Sequence, residues 1–327
     1  MWARCIFSES LNESTLLDLP GAPPGNSAGS DDGRAGLSLL HKLADRVTTV
    51  ARSVLDDFVT TAYPSDCRVC NTPLLRSSIL PICETCRVAV PVQTAVLCER
   101  CGEALDIDME SARLAAPLLS EGLLCDPCRA ELPMFERAVA YAVYQDELRE
   151  MIHLLKYEQM RGVAKLLGGF LADAIRTLRE QAARELVVVA VPLFPAKQHQ
   201  RGYNQAELLA DAAIAELHES DPAWKLQRAT GVLTRRRDTN SQFELNPVGR
   251  RRNVEGAFAA DATKLRAGCE VLLIDDIYTT GATARECARV LRRAGAGKVW
   301  VATLARAQAP RVAMWDESAR TAAQGFG

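Results

Sequence analysis

The segment Val271-Leu272-Leu273-Ile274-Asp275-Asp276-Ile277-Tyr278-Thr279-Thr280-Gly281-Ala282-Thr283 decides how the rest of the chain is read. An apolar run of this kind suits a strand buried on both faces, as in parallel sheets. It delivers two adjacent carboxylates, Asp275 and Asp276, to its carboxyl end, where α/β sheets bind their ligands. A small, hydroxyl-rich turn follows and opens a helix. Gly281 lets the backbone approach an anion closely, and the free amides of the first helical turn, from Ala282 and Thr283 onward, point at it. Thr279, Thr280 and Thr283 add hydroxyl donors. The segment is half anion cradle and half acceptor pair, the combination a sugar phosphate requires. Helix capping by Thr279 or Thr280 explains neither the acid pair nor the glycine. No Walker lysine follows the glycine, which argues against a P-loop nucleotide hydrolase.

Outward from this segment, the texture from Arg137 onward alternates strands and helices. Strands are expected at Val139–Tyr144, Leu186–Val191, Gly231–Thr234, Val271–Asp275 and Val299–Leu304. Helices are expected at Leu148–Tyr157, Val163–Arg179, Tyr203–Leu217 and Ala282–Ala294, the last stopped by Gly295 and Gly297. Alternation of this kind predicts an α/β domain with a mainly parallel sheet.

Residues 64–135 have a different character. Four Cys-x-x-Cys pairs fall there: Cys67/Cys70, Cys83/Cys86, Cys98/Cys101 and Cys125/Cys128. A two-residue gap lets both thiolates of a turn face one metal, and two such pairs complete a tetrahedral four-thiolate site. Eight cysteines therefore suit two structural zinc ions, with the pairing between the Cys-x-x-Cys units left open. A redox dithiol is the rival reading, but four copies without a surrounding βαβ unit argue against it. Cys5, Cys269 and Cys287 lie outside the module and read as ordinary small residues.

Further upstream, residues 1–36 are rich in Gly, Pro and Ser and read as a disordered tail. Residues 37–63 carry apolar side chains at helical spacing, an amphipathic helix ended by Tyr63-Pro64. The chain of 327 residues has a formal charge of -2, so no global field draws it to nucleic acid or an anionic membrane. No apolar run approaches the ~20 residues of a membrane span, and no secretory signal opens the chain. A cytoplasmic protein without membrane insertion is expected, and a reducing cytosol suits metal-bound rather than disulfide-bonded thiols.

The 271–283 segment resembles the phosphoribosyl pyrophosphate motif of type I phosphoribosyltransferases. A wider set of residues is similar to the ComF family of phosphoribosyltransferase-like proteins: the cysteine pairs, Leu155-Lys156-Tyr157, Val191-Pro192-Leu193-Phe194-Pro195 and Arg201-Gly202-Tyr203-Asn204-Gln205-Ala206-Glu207-Leu208-Leu209-Ala210. The set continues with Leu233-Thr234-Arg235-Arg236-Arg237-Asp238-Thr239-Asn240-Ser241-Gln242, Arg250, Asn253 and Gly256-Ala257-Phe258. The likeness spans roughly residues 64–306; the long N-terminal extension and the tail after Arg306 depart from it.

The resemblance implies a type I phosphoribosyltransferase fold over 136–308 behind the zinc module, with 309–327 as a tail. It implies that phosphoribosyl pyrophosphate and magnesium bind together and that a 5-phosphoribosyl group passes to an acceptor the sequence does not name. Asp275 and Asp276 would hold the ribose hydroxyls, and Thr279–Thr283 the 5′-phosphate. Pro192 and Arg201 would lie by the pyrophosphate, and Arg235 and Arg236 would belong to a closing loop that neutralises it. Two alternatives stand beside this: a binding protein without turnover, and a DNA-uptake factor that binds single-stranded DNA or the competence machinery. Seven arginines between Arg228 and Arg252 would serve the latter. The fold class often forms homodimers; the sequence does not give the oligomeric state.

Overall fold

A computed structural model of the chain describes residues 66–74, 80–91, 93, 95–115, 117, 122–238, 249 and 253–308. The 1–36 tail, the 37–63 helix, Thr239–Gln242, Arg250 and the 309–327 tail lie outside the described residues.

The cysteine-rich region repeats one small unit twice. In the first copy a tight turn carries Cys67 and Cys70, its strands meeting at Asp66 and Pro73, and helix α1 (Glu84–Val88) starts on Cys83. In the second, the turn carries Cys98 and Cys101 between Leu97 and Ala104, followed by α2 (Met109–Ala115) and by α3 (Asp126–Ala130), which starts on Cys125. Both turns close through the same bonds: Asn71 N–H donates to Cys67 and Gly102 N–H to Cys98, each at 2.8 Å. Asn71 and Gly102 both have positive φ, the left-handed geometry such a knuckle needs.

The remainder is an α/β unit. β1 (Arg137–Val143) leads through α4 (Asp146–Tyr157) and α5 (Val163–Arg176) to β2 (Glu185–Ala190). Helices α6 (Pro195–Arg201) and α7 (Gln205–Ser220) come next, then β3 (Lys225–Arg228) and the short pair β4 (Leu233–Arg235) and β5 (Phe258–Ala260). β6 (Glu270–Tyr278), α8 (Ala282–Arg293) and β7 (Lys298–Arg306) complete it. Five strands form one parallel sheet in the order β1-β7-β6-β2-β3, and β4 and β5 pair antiparallel beside it. This is the expected α/β architecture, consistent with a phosphoribosyltransferase-like fold.

Alternation along the strands makes two cores, one on each face of the sheet. Leu272, Ile274, Trp300, Ala302 and Leu304 pack under α4, α5 and α7. Val271, Leu273, Val299 and Val301 face α8 and the β4–β5 pair. The cysteine units divide between these faces: Cys67 and Cys86 join the first core, while Cys98, Cys101, Cys125 and Cys128 join the second with Phe135. Helices α5 and α7 approach closely because Gly168 has no side chain; a Cβ there would run into that of Ala212.

Three features differ from the sequence reading. β6 runs on to Tyr278 instead of stopping at Asp275, so both acids stand within the strand's last residues. The stretch after Val191-Pro192 becomes helix α6, which its sequence, Pro-Ala-Lys-Gln-His-Gln-Arg, hides for want of apolar periodicity. Strand β3, Lys-Leu-Gln-Arg, sits at the sheet edge and lacks the apolar run of a central strand.

Candidate functional site

The strand order locates a cleft before any residue is considered. β2 is followed by β3 on one side, whereas β6 is followed by β7 on the other, so the connections leaving β2 and β6 diverge. Ligands of open α/β sheets bind outside the strand ends at such a point. A cavity of about 550 Å³ opens there, within the ~300–1,000 Å³ usual for small-molecule sites. The loop after β2 supplies Val191, Pro192 and Leu193, and the end of β6 with the start of α8 supplies the opposite wall.

Of the residues singled out in the sequence, Asp275, Asp276, Thr279, Gly281, Ala282, Thr283, Pro192, Arg201 and Arg235 line this cavity together. Thr280 is in the same turn, but its hydroxyl points inward and has no hydrogen-bond partner among the described residues. Arg236 is exposed outside the cavity, and its backbone N–H donates to Ala257. The sequence reading gave no role to Lys156, Tyr157, Lys197, Gln205 or Tyr144, which also line it. Lys156, Tyr157 and Gln205 fall in stretches that carry the family resemblance, but nothing local to them, or to Lys197 and Tyr144, shows that the element ends they occupy converge on the cleft.

Gly281 caps α8 at φ 74° with no side-chain cap, so the amides of the first helical turn are left to a ligand. A Cβ at this position would collide with the Tyr278 phenol, which lies directly beneath. Asn204, the N-cap of α7, accepts from Ala206 N–H and donates to the Val191 carbonyl at 3.0 Å, tying α7 to the loop after β2.

The two acids have different surroundings. Asp276 is buried, and Lys156 at the end of α4 meets its Oδ2 at 2.9 Å, a charge contact made off the hydrogen-bond axis. Asp275 is half-buried and accepts from the Asp276 N–H at 2.9 Å. Burial, and then the Asp276 charge, push the Asp275 carboxyl up to about 7 against the pull of Lys156 and Arg235. Arg235 stacks on Phe258 at 5.3 Å, and burial lowers its pKa although Asp275 and Asp238 oppose that. Lys197 pairs with Asp238 at 3.3 Å. Arg201 bonds Gln205 at 3.0 Å and stacks on Tyr157 at 5.2 Å. Four cationic side chains and two carboxylates thus line the cavity, a local positive excess in a chain of net charge -2. Such a cleft suits a polyanion.

The cysteines assemble as Cys67/Cys70/Cys83/Cys86 and Cys98/Cys101/Cys125/Cys128, the ligand atoms of each group lying within 4.8 Å of one another. The pairing left open by the sequence is therefore sequential. Four sulfurs at about 2.3 Å from a tetrahedral metal stand about 3.8 Å apart. The separations Cys67–Cys86 3.9 Å, Cys70–Cys83 3.7 Å and Cys101–Cys125 3.5 Å agree with that spacing. Either group could hold a structural zinc ion.

Among the described residues, no helix is long and apolar enough to cross a membrane. No family model matches the chain. Among curated relatives, DNA utilization protein YhgH of Salmonella typhimurium is 31% identical over 245 residues, 74% of this chain and 97% of that protein. Competence protein F of Haemophilus influenzae is 26% identical over 228 residues, 69% of this chain and 96% of its own. Competence protein ComFC of Bacillus subtilis is 25% identical over 222 residues, 65% and 79% respectively. With its paired cysteine groups, its parallel sheet and this extent of likeness, the chain belongs to the ComF family of competence and DNA-utilization proteins.

Proposed function

We propose that the cleft binds phosphoribosyl pyrophosphate and that the protein is a phosphoribosyltransferase, with two structural zinc ions. The observation that carries this reading is the meeting of an acid pair, an uncapped glycine-led helix start and basic side chains in one cavity. In this reading Asp275 and Asp276 accept hydrogen bonds from the two ribose hydroxyls. The amides of Gly281, Ala282 and Thr283, with the Thr279 and Thr283 hydroxyls, take the 5′-phosphate, and Thr280 packs the turn from within. Pro192 holds the turn on the pyrophosphate side, where Arg201, Arg235 and Lys197 pair with the leaving group, and Arg236 joins them as the loop closes. Guanidinium forks suit phosphate oxygens.

The bond from the anomeric carbon to the pyrophosphate oxygen breaks, its electron pair leaving with pyrophosphate, and an acceptor nucleophile bonds to that carbon and sheds its proton. Positive charge that develops on the sugar faces the Asp275 and Asp276 carboxylates. Lys156 holds Asp276 in place for this purpose. Positioning and electrostatics supply the rate enhancement without a covalent nucleophile. Magnesium bound together with the ligand would neutralise charge on the departing pyrophosphate, beside Arg201, Arg235 and Lys197. Titration with a ligand series tests the assignment. Phosphoribosyl pyrophosphate with magnesium should bind more tightly than ribose 5-phosphate or pyrophosphate alone. Equal affinity for all three would mean that the acid pair and the phosphate turn do not act on one molecule.

A second reading is favoured by the cavity rim. Tyr157 is 55% exposed, with Arg201 stacked on it at 5.2 Å and His153 against it at 4.7 Å. Basic groups on an exposed aromatic suit a base stacked from single-stranded DNA, and the relatives are named for competence and DNA utilization. Affinity for an oligonucleotide that falls steeply with salt would support this reading. Absence of binding at low salt would remove it.

A further inference from the structure

The second cysteine group is joined to the cleft by two arginines that come from its walls. Arg306 ends β7 and is 3% exposed. Its Nη2 donates to Cys101 Sγ at 3.5 Å and pairs with Glu103, and its guanidinium lies over the Tyr278 ring at 4.3 Å. Tyr278 in turn underlies Gly281 at the head of the phosphate turn, held edge-on by Phe135 at 6.4 Å. Arg285 stands one helical turn beyond Gly281 on α8. It donates to Cys128 Sγ at 3.6 Å and to the Glu131 carbonyl at 2.8 Å. Two routes therefore run from this group to the same turn, one through an aromatic ring and one through the helix itself.

Charge explains the arrangement. A zinc ion held by four thiolates leaves roughly two negative charges in the group. All four cysteines here are buried, so that charge needs partners inside the protein. Arg285 and Arg306 supply two positive ones at the sulfurs. The first group is built otherwise: Cys70 is exposed, Cys83 is half-buried, and the neighbouring Arg68 pairs with Glu158.

We propose that the Cys98/Cys101/Cys125/Cys128 centre is a strut of the ligand cleft, with Arg306 and Arg285 as positioning residues that tie metal occupancy to the phosphate turn. This rests on the cleft being the phosphoribosyl pyrophosphate site. Metal and ligand are then linked, and the linkage is reciprocal: each stabilises the binding of the other.

Zinc-loaded full-length protein mixed with a chromophoric chelator tests this. Two release phases are expected, the fast one from the group with the exposed cysteine. Saturating phosphoribosyl pyrophosphate with magnesium should slow the slow phase roughly tenfold, within the usual coupling range, and leave the fast phase unchanged. In Arg306→Met that slowing should vanish although both zinc ions remain bound at the start, and Arg306→Lys should recover part of it. Arg285→Met serves the same comparison if Arg306→Met does not fold. Slowing that survives in the methionine variants, or is absent from a wild type that binds the ligand, would overturn the strut. Failure of the wild type to bind at all removes the reading of the cleft instead. Hydrogen–deuterium exchange without ligand then decides the strut: residues 278–285 should exchange faster in the variant that folds, and equal exchange would sink it.

Discussion

Asp275 and Asp276 are neighbours in sequence with opposite roles in the electrostatics of the site. Asp276 is neutralised by Lys156, so Lys156→Met strands a buried carboxylate. Breaking a buried pair typically costs about 3–5 kcal/mol, and a lowered urea midpoint at unchanged slope would register it. Asp275 carries the pH dependence. Its folded-state pKa, up to about 7, is raised above the unfolded value of about 3.9. A carboxyl raised in this way contributes stability that is complete below about pH 4 and is lost as pH climbs through about 7. Urea midpoints taken between those limits should therefore fall more in wild type than in Asp275→Asn. Identical profiles would show that Asp275 does not titrate in that window. The motif itself could be read from sequence because strand, acids, threonines and glycine are contiguous. Lys156 lies far upstream of Asp276 in the chain and reaches it only through the packing of α4 against the sheet.

Among the elements, the glycines mark where backbone geometry is committed. Gly281 has φ 74°, and the Tyr278 phenol fills the space beneath it. Gly281→Ala should cost about 1 kcal/mol or more from the left-handed backbone. It should also weaken phosphate binding out of proportion to that loss, because the turn must move off the tyrosine. Comparison of the unfolding midpoint with ligand affinity separates the two effects. Gly168 tests packing far from the cleft: Gly168→Val drives a side chain into Ala212 and should destabilise by about 1–3 kcal/mol, read as a lower thermal midpoint with ligand affinity of the folded protein unchanged. The central strands were legible because both faces are buried and the sequence is uniformly apolar. The strand expected at Gly231–Thr234 begins two residues further on, as β4 at Leu233–Arg235, whereas β3 and the three-residue β5 were not legible, since edge and paired fragments carry little periodicity. Helix α6 was missed for the same reason: none of its residues is fully buried and nothing in it repeats at 3.6 residues.

At the scale of the whole molecule, the sheet has a cysteine group built into the core on each of its faces. The spacing of the cysteines announced two metal sites, but which pairs combine depended on the repeated turn-and-helix unit, and the contacts from Arg285 and Arg306 depended on tertiary structure alone. Metal analysis should give two zinc ions per chain. Cys101→Ser, at a buried ligand, should lose one ion together with much of the stability of the second core, because structural zinc contributes folding energy directly. Cys70→Ser, at the exposed ligand, should lose the other ion with a smaller fall in midpoint. Equal falls would show that the two groups are equally integrated into the fold.

The central claim is that the acid pair and the phosphate turn form one site for phosphoribosyl pyrophosphate. Calorimetric titration of that ligand with magnesium, on zinc-loaded wild type and on the Asp275→Asn/Asp276→Asn double variant, tests it most directly. Saturable binding by the wild type that the folded double variant loses is the predicted result. Equal binding by both proteins, or none by the folded wild type, would contradict the claim.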